Sequence, residues 1–337
     1  MMKSVIILLM VLLLYGEQSM PEKIPIIYSE HYDIGLAGIE KLHPFDTKKH
    51  GKVYRYLREK TGIEKERFYT PEMVTEEELL SVHTSRYLSS LKWSFNVARI
   101  AELPVLALLP NFLLQKHVLE PMKYATKGTM LGVELALKYG WAINLSGGYH
   151  HAKEDSGGGF CYFADIPIAL YGLFEKNPEL SVLIVDLDVH QGNGNEMIFK
   201  DDKRVHIFDI YNEDIYPNDN EAKKHIEFNH PVRAFTRDEA YLQILQNELP
   251  KAIEHSKPDL IIFIAGTDVL DGDPLGWMSI SEEGIIKRDG IVFQNATENK
   301  IPILMLLGGG YTKRSAAVIS ASIENILNIM TEQKGKR

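Results

Sequence analysis

Beyond Pro25, apolar runs of strand length alternate with stretches whose hydrophobic residues recur at helical spacing. The runs cover residues 24–28, 141–146, 181–188, 204–210, 259–265 and 301–307, and most are hydrophobic without a break. A strand that reads this way is buried on both faces, as in a parallel sheet. Between the runs, residues 128–138, 166–175, 237–255, 281–297 and 315–330 carry helical patterns. The alternation predicts an α/β fold, a central and mostly parallel doubly wound sheet with helices on both faces. No internal repeat, low-complexity tract or Gly/Ser/Pro-rich linker divides the chain, so a single domain is expected.

Composition works by exclusion. The 337 residues are 45% hydrophobic and 25% charged, ordinary for a folded domain and too apolar for a disordered one. Lys and Arg number 37 against 46 Asp and Glu, a net charge of −9. Direct binding of nucleic acid through bulk charge needs the opposite balance, so no nucleic-acid partner is expected. Cys161 is the lone cysteine, which excludes an intramolecular disulfide and any multi-thiolate zinc site. A metal here must sit on His and carboxylate.

Residues 1–23 stand apart as a leader, and residues 331–337 form a short polar tail. Met-Met-Lys precedes the apolar segment of residues 4–15, the pattern of a secretory signal peptide. That segment falls short of the roughly 20 apolar residues of a membrane span, so no stable span is expected. Residues 15–19 offer no clean small-x-small cleavage triplet, and Met20 is an alternative start. Asn144 and Asn295 open glycosylation sequons, the first within an apolar run that reads as buried.

In a doubly wound sheet the ligand crevice lies outside the carboxyl ends of the strands. Polar residues should therefore gather where the apolar runs stop, and they do. Gly147-Gly148-Tyr149-His150-His151 follows the second run. Taken alone, its histidines serve equally as surface or capping groups; together they suit proton transfer or metal ligation. The third run leads into Asp186, Asp188 and His190, which share one face if the chain stays extended. Two carboxylates and an imidazole on one buried face repel unless a cation joins them, and that donor set suits zinc or another first-row divalent ion. Asp268, after the fifth run, is the natural third ligand. Gly308-Gly309-Gly310-Tyr311 follows the sixth, without the Lys-Ser/Thr of a phosphate loop, so a tight turn aiming the Tyr311 hydroxyl into the crevice is the better reading.

Further motifs join these in order: Leu42-His43-Pro44-Phe45-Asp46, Val82-His83-Thr84 with Tyr87, Leu91-Lys92-Trp93-Ser94-Phe95, Gly157-Gly158-Gly159-Phe160-Cys161 and Asp209-Ile210-Tyr211-Asn212. With them, residues 24–330 resemble the arginase/deacetylase superfamily, and within it the zinc-dependent histone deacetylases, the class IV branch most of all. The resemblance implies a single-domain arginase/deacetylase-like fold and one Zn2+ per chain on Asp188, His190 and Asp268. It implies His151 as general base and acid, His150 oriented by Asp186, Asn193 as the partner of His151, and Tyr311 on the substrate carbonyl. Phe160, Gly159, Tyr216 and Leu275 would line the acyl-lysine channel. A structural K+ would sit on backbone oxygens of Asp186, Asp188 and His190 with groups around Asp209.

The implied reaction is hydrolysis of Nε-acyl-lysine in proteins or histones, in cytoplasm or nucleus unless the leader is a functional signal. The class IV likeness implies long fatty-acyl groups over acetyl. Small acylated amines such as polyamines are the alternative substrates, and a catalytically silent acyl-lysine scaffold the alternative role. A binuclear manganese hydrolase of the arginase type needs Asp where this chain has Gly192. Two departures stand out. Asn193 replaces the Asp that many members set beside the second histidine, which leaves His151 less basic. The acidic loop residue that grips the substrate backbone in class I enzymes has no obvious counterpart between Ala101 and Asn111. The resemblance carries no oligomeric state.

Overall fold

The computed structural model describes residues 23–334. The leader, apart from residue 23, and the end of the polar tail lie outside the described residues. Among the described residues seven strands, all parallel, form one sheet: β1 (Ile26–Ile27), β2 (Trp141–Asn144), β3 (Val182–Asp186), β4 (Val205–Asn212), β5 (Phe228–Val232), β6 (Leu260–Ile264) and β7 (Ile303–Leu306). Their order is β1-β2-β7-β6-β3-β4-β5. The helices are α1 (Lys49–Thr61), α2 (Glu76–Leu80), α3 (Ser85–Ser90), α4 (Ser94–Ile100), α5 (Asn111–Leu114), α6 (Glu120–Tyr139), α7 (Asp165–Lys176), α8 (Asn193–Ile198), α9 (Asp238–Ser256), α10 (Glu282–Glu298) and α11 (Ser315–Lys334).

The unbroken apolar runs have the expected cause. Along β3, Val182 and Ile184 pack on one face with α6 and α7, while Leu183 and Val185 pack on the other with α1, α9, α10 and α11. With both pleat faces covered, no position is left for a polar residue until the strand ends. Asn144 ends β2 fully buried, its amide donating to Ala125 O and accepting from the Tyr32 hydroxyl, so the first sequon is closed to a glycan in the folded chain.

Three expectations need correction. Strand β3 stops at Asp186 instead of running on to Asp188. Strand β5 was not expected: it is an edge strand carrying Asn229, His230 and Pro231, alternately exposed, and so has no apolar run to betray it. The helices before Glu120 also escaped the pattern, because most are short and wrap a site whose polar residues interrupt their periodicity.

The register decides where chemistry collects. Asn144 pairs with Leu306, Leu306 with Ile264, Ile264 with Asp186, and Asp186 with Asp209. One row perpendicular to the strands thus marks a common level in β2, β7, β6, β3 and β4. The segments leaving β2, β7, β6 and β3 at that level carry His150 and His151, Tyr311, Asp268, and Asp188 with His190.

Candidate metal centre and active site

The chain leaves β3 through two side-chain-to-backbone bonds. Asp188 N–H donates to Asp186 Oδ1 at 3.1 Å, and His190 N–H donates to Asp188 Oδ1 at 3.0 Å. Such bonds, two residues apart, replace the ladder with turns. The shared face expected for Asp186, Asp188 and His190 is therefore broken: Asp186 Oδ2 accepts from His150 Nδ1 at 2.7 Å, while the other two swing toward Asp268.

Asp188, His190 and Asp268 are buried, and one ligand atom from each lies within 4.8 Å of the others. His190 Nδ1 stands 3.1 Å from Asp188 Oδ1 and 3.2 Å from Asp268 Oδ2. The remaining carboxylate oxygens are held by backbone, Asp188 Oδ2 by Gly309 N–H at 2.7 Å and Asp268 Oδ1 by Val189 N–H at 2.9 Å. Asp268 Oδ2 accepts no hydrogen bond. Burial and the charge of Asp188 push the Asp268 carboxyl upward, whereas the two carboxylates overcome burial to raise His190 to about 10. The three groups favour positive charge at their centre, and one nitrogen with two carboxylate oxygens fits a first-row divalent cation.

Behind β2, Gly147 and Gly148 take left-handed φ of 81° and 84°, and Asp165 accepts from Gly148 and Tyr149 N–H, each at 2.9 Å. This turn brings the His150 and His151 rings to 4.1 Å. Burial is opposed by Asp186 and Asp188, which raise His150 to about 9; burial together with His150 and His190 drives His151 well below the usual range. The orientation of His151 follows from its neighbours. Asp219 Oδ2 only accepts, taking Asn193 Nδ2 at 3.2 Å and Lys153 Nζ at 2.9 Å. Asn193 must then present Oδ1 to His151 Nδ1, at 2.9 Å, so Nδ1 carries the proton and Nε2 is the open nitrogen.

The glycine turn after β7 is clamped from below. Lys49, fully buried, donates Nζ to Gly308 O and Gly309 O at 3.0 Å each. Burial holds its ammonium down to about 8 against the pull of Asp268 and Asp188. Tyr311 N–H donates to Asp273 Oδ2 at 2.8 Å, and Asp273 Oδ1 accepts from Leu275 N–H at 3.0 Å, tying the half-buried Leu275 turn to the tyrosine. The Tyr311 ring centroid is 6.2 Å from that of His190 and 5.8 Å from that of Phe160.

These groups line a cavity of about 50 Å³ bounded by His150, His151, Gly159, Phe160, Asp188 and Tyr311. Phe160 holds a left-handed φ of 66°, fixed by its N–H donating to Ile100 O at 3.1 Å. Tyr216 stands exposed at the mouth, its ring 5.0 Å from that of His151. Beside this cavity is a second of about 60 Å³, lined by Ile34, Leu36, Leu103, Leu106 and Val118 and sharing Phe45, Met122 and Phe160 with the first. Cys161 is buried with its thiol donating to Gly159 O, and burial pushes it far up, as for a packing residue.

Sequence reasoning missed Lys49, Asp219 and Asp273, whose roles depend on partners distant in the chain. It also passed over Glu102, which stands in the loop after Ala101, exposed, and near enough to His190 and Tyr216 for its charge to act on both. Next to the metal centre, Glu196 and Asp209 are buried, with Glu196 Oε1 and Asp209 Oδ1 lacking hydrogen-bond partners.

Comparison with known proteins gives the family and the fold. Residues 43–327 match the histone deacetylase domain. "Histone deacetylase 2" of Arabidopsis thaliana is 47% identical over 304 residues, 90% of this chain and 79% of that one. An uncharacterized protein of Picosynechococcus is 31% identical over 292 residues, covering 86% and 92% of the two chains. The crystal structure of the HDA15 HD domain superposes with a TM-score of 0.71 at 19% identity, covering 91% of this chain and 89% of that one, and so shares its fold. The chain belongs to the histone deacetylase family. Its fold is the single-domain arginase/deacetylase-like one, and its class is that of a deacetylase-type hydrolase.

Proposed function

We propose that the protein is a zinc-dependent lysine deacylase that removes acyl groups from Nε-acyl-lysine in proteins, histones included, and favours long fatty-acyl chains over acetyl. Asp188, His190 and Asp268 would hold the zinc. The open Asp268 Oδ2, buried between an imidazole and a second carboxylate, is the observation that supports it. Bound there, zinc supplies Lewis-acid polarisation of the amide carbonyl.

The protein's own groups do the rest. His151, neutral and with Nε2 open, takes a proton from the attacking water and returns it to the departing lysine amine. The Tyr311 hydroxyl donates to the developing oxyanion; one such donor is worth about 2.7–4 kcal/mol of barrier. Asp186 fixes the His150 ring. Gly159, Phe160, Tyr216 and Leu275 bound the channel, and Glu102 at its mouth supplies a carboxylate for the backbone N–H groups of a bound peptide. A structural potassium ion would sit on backbone oxygens of Asp186, Asp188 and His190 with groups around the buried Asp209.

The long-chain preference rests on the apolar lining of the second cavity, which shares Phe45, Met122 and Phe160 with the first and so offers an acyl chain an apolar continuation. The class IV likeness points the same way. A panel of acetyl-lysine, myristoyl-lysine and acetylated polyamine substrates, with and without a zinc chelator, tests the proposal. Myristoyl turnover at least tenfold faster and abolished by chelation is expected. Chelator-insensitive turnover, or preference for acetyl or polyamine, would overturn it.

A further inference from the structure

Four large hydrophobic side chains stand exposed on one lobe beside the mouth: Trp93 (71%), Phe95 (69%), Leu108 (83%) and Phe112 (69%). The lobe is built, not frayed. Ser94, between Trp93 and Phe95, donates its hydroxyl to Leu109 O at 2.8 Å. Asn111 and Gln115 both donate to Leu91 O, at 3.2 and 2.8 Å. The lobe also abuts the site: Ile100 O accepts from Phe160 N–H, and Ala101 O bonds His43 Nε2 at 2.9 Å. On its inner side, Leu103 and Leu106 line the apolar cavity.

A soluble surface rarely leaves such groups clustered in water without a use for them. A protein partner would need a counter-surface shaped to each protruding side chain, whereas fluid lipid accepts them without complementarity. Trp and Phe suit the membrane–water boundary, where their rings lie at headgroup level. Charge favours the same occupant. Residues 91–117 carry Lys92, Arg99 and Lys116 against the one anion Glu102, in a chain whose net charge is −9. That local excess of cations matches an anionic bilayer.

We propose that this lobe docks on an anionic lipid surface, seating Trp93, Phe95, Leu108 and Phe112 among the headgroups so that the channel mouth opens at the membrane boundary. The apolar path then runs from bilayer to cavity, and fatty-acylated lysines held at a membrane are the substrates delivered to it. This last point rests on the proposed function; docking itself does not. Among the described residues no helix is long and apolar enough to cross a membrane.

Flotation of the full chain with vesicles of phosphatidylcholine, with and without phosphatidylserine, tests the inference. Binding is expected to anionic vesicles and to weaken with salt. A variant combining Trp93→Ser, Phe95→Ser, Leu108→Ser and Phe112→Ser should float at least tenfold less, while hydrolysing a soluble acyl-lysine peptide at the wild-type rate. Lys92→Glu with Lys116→Glu should reduce binding to anionic vesicles alone. Equal flotation of wild type and the Ser variant, or none by either, overturns docking by this lobe. So does a dimer that the Ser variant dissolves, measured by sedimentation velocity without vesicle binding, since it assigns the lobe to a second copy. Vesicle binding without turnover of any acyl-lysine would sink the enzymatic reading and leave the docking intact.

Discussion

Gly309 offers a direct test of the metal centre, because its backbone sets no obstacle to a side chain while its surroundings do. Its φ lies outside the left-handed region, so Gly309→Ala introduces crowding without backbone strain. The added methyl would lie 2.8 Å from Asp188 Oδ2 and closer still to Asp268 Oδ2, where ordinary contact begins at 3.4 Å. The Asp188 carboxylate must yield 0.6 Å, the difference of those two distances, and Asp268 more. Metal sites tolerate ligand displacements of about 0.2 Å. A misplacement near 1 Å costs about 10²-fold in rate, and overpacking of this kind about 1–3 kcal/mol in stability. The expected protein is folded, binds zinc weakly and turns over acyl-lysine about a hundredfold more slowly. Metal content by mass spectrometry, kcat/KM and urea unfolding read the three quantities. Gly172→Ala, whose methyl meets its nearest neighbour only at 4.0 Å, is the control. Full zinc occupancy and turnover in Gly309→Ala would refute the assignment of Asp188 and Asp268 as ligands.

Other expectations follow from the same contacts. Asp219→Ala frees the Asn193 amide to rotate, and should lower kcat about 10–100-fold with zinc content unchanged; loss of zinc, or an unchanged kcat, contradicts the orientation argument. Lys49→Met strands two carbonyls at about 1–3 kcal/mol each in chemical denaturation, whereas Lys49→Arg should retain most of the stability; equal loss in both variants would mean the clamp is not the cause. His83 accepts from Ala164 N–H through Nε2 and is held neutral, lowered by burial to about 4 from 6.5. Between those values the unfolded chain binds a proton that the folded one does not. Its contribution is therefore full above pH 6.5 and lost as pH falls toward 4, at about 1.4 kcal/mol per unit. Unfolding of chelator-treated protein across that window should show a shallower slope in His83→Gln, and parallel slopes would exclude His83 as the source.

The sequence by itself determined the sheet and the level at which its chemistry sits. A strand buried on both faces has no room for polarity, so each apolar run had to end where its polar residues begin, and the parallel register aligned those ends into one crevice. The convergence of Asp188, His190 and Asp268 and the proximity of His150 and His151 were legible for that reason. Side-chain direction was not. Asp186 parted from Asp188 and His190 because two backbone-capping bonds broke the extended chain, a competition that alternation cannot express. The edge strand β5 was silent because half of it faces water. Lys49, Asp219 and Asp273 act on groups tens to hundreds of residues away, and neither their identity nor their spacing carries that information. Only the tertiary structure decided which carboxylate oxygen stays open, which nitrogen of His151 is bare, and where an apolar cavity meets an exposed apolar lobe, since each depends on what distant segments bring to one place.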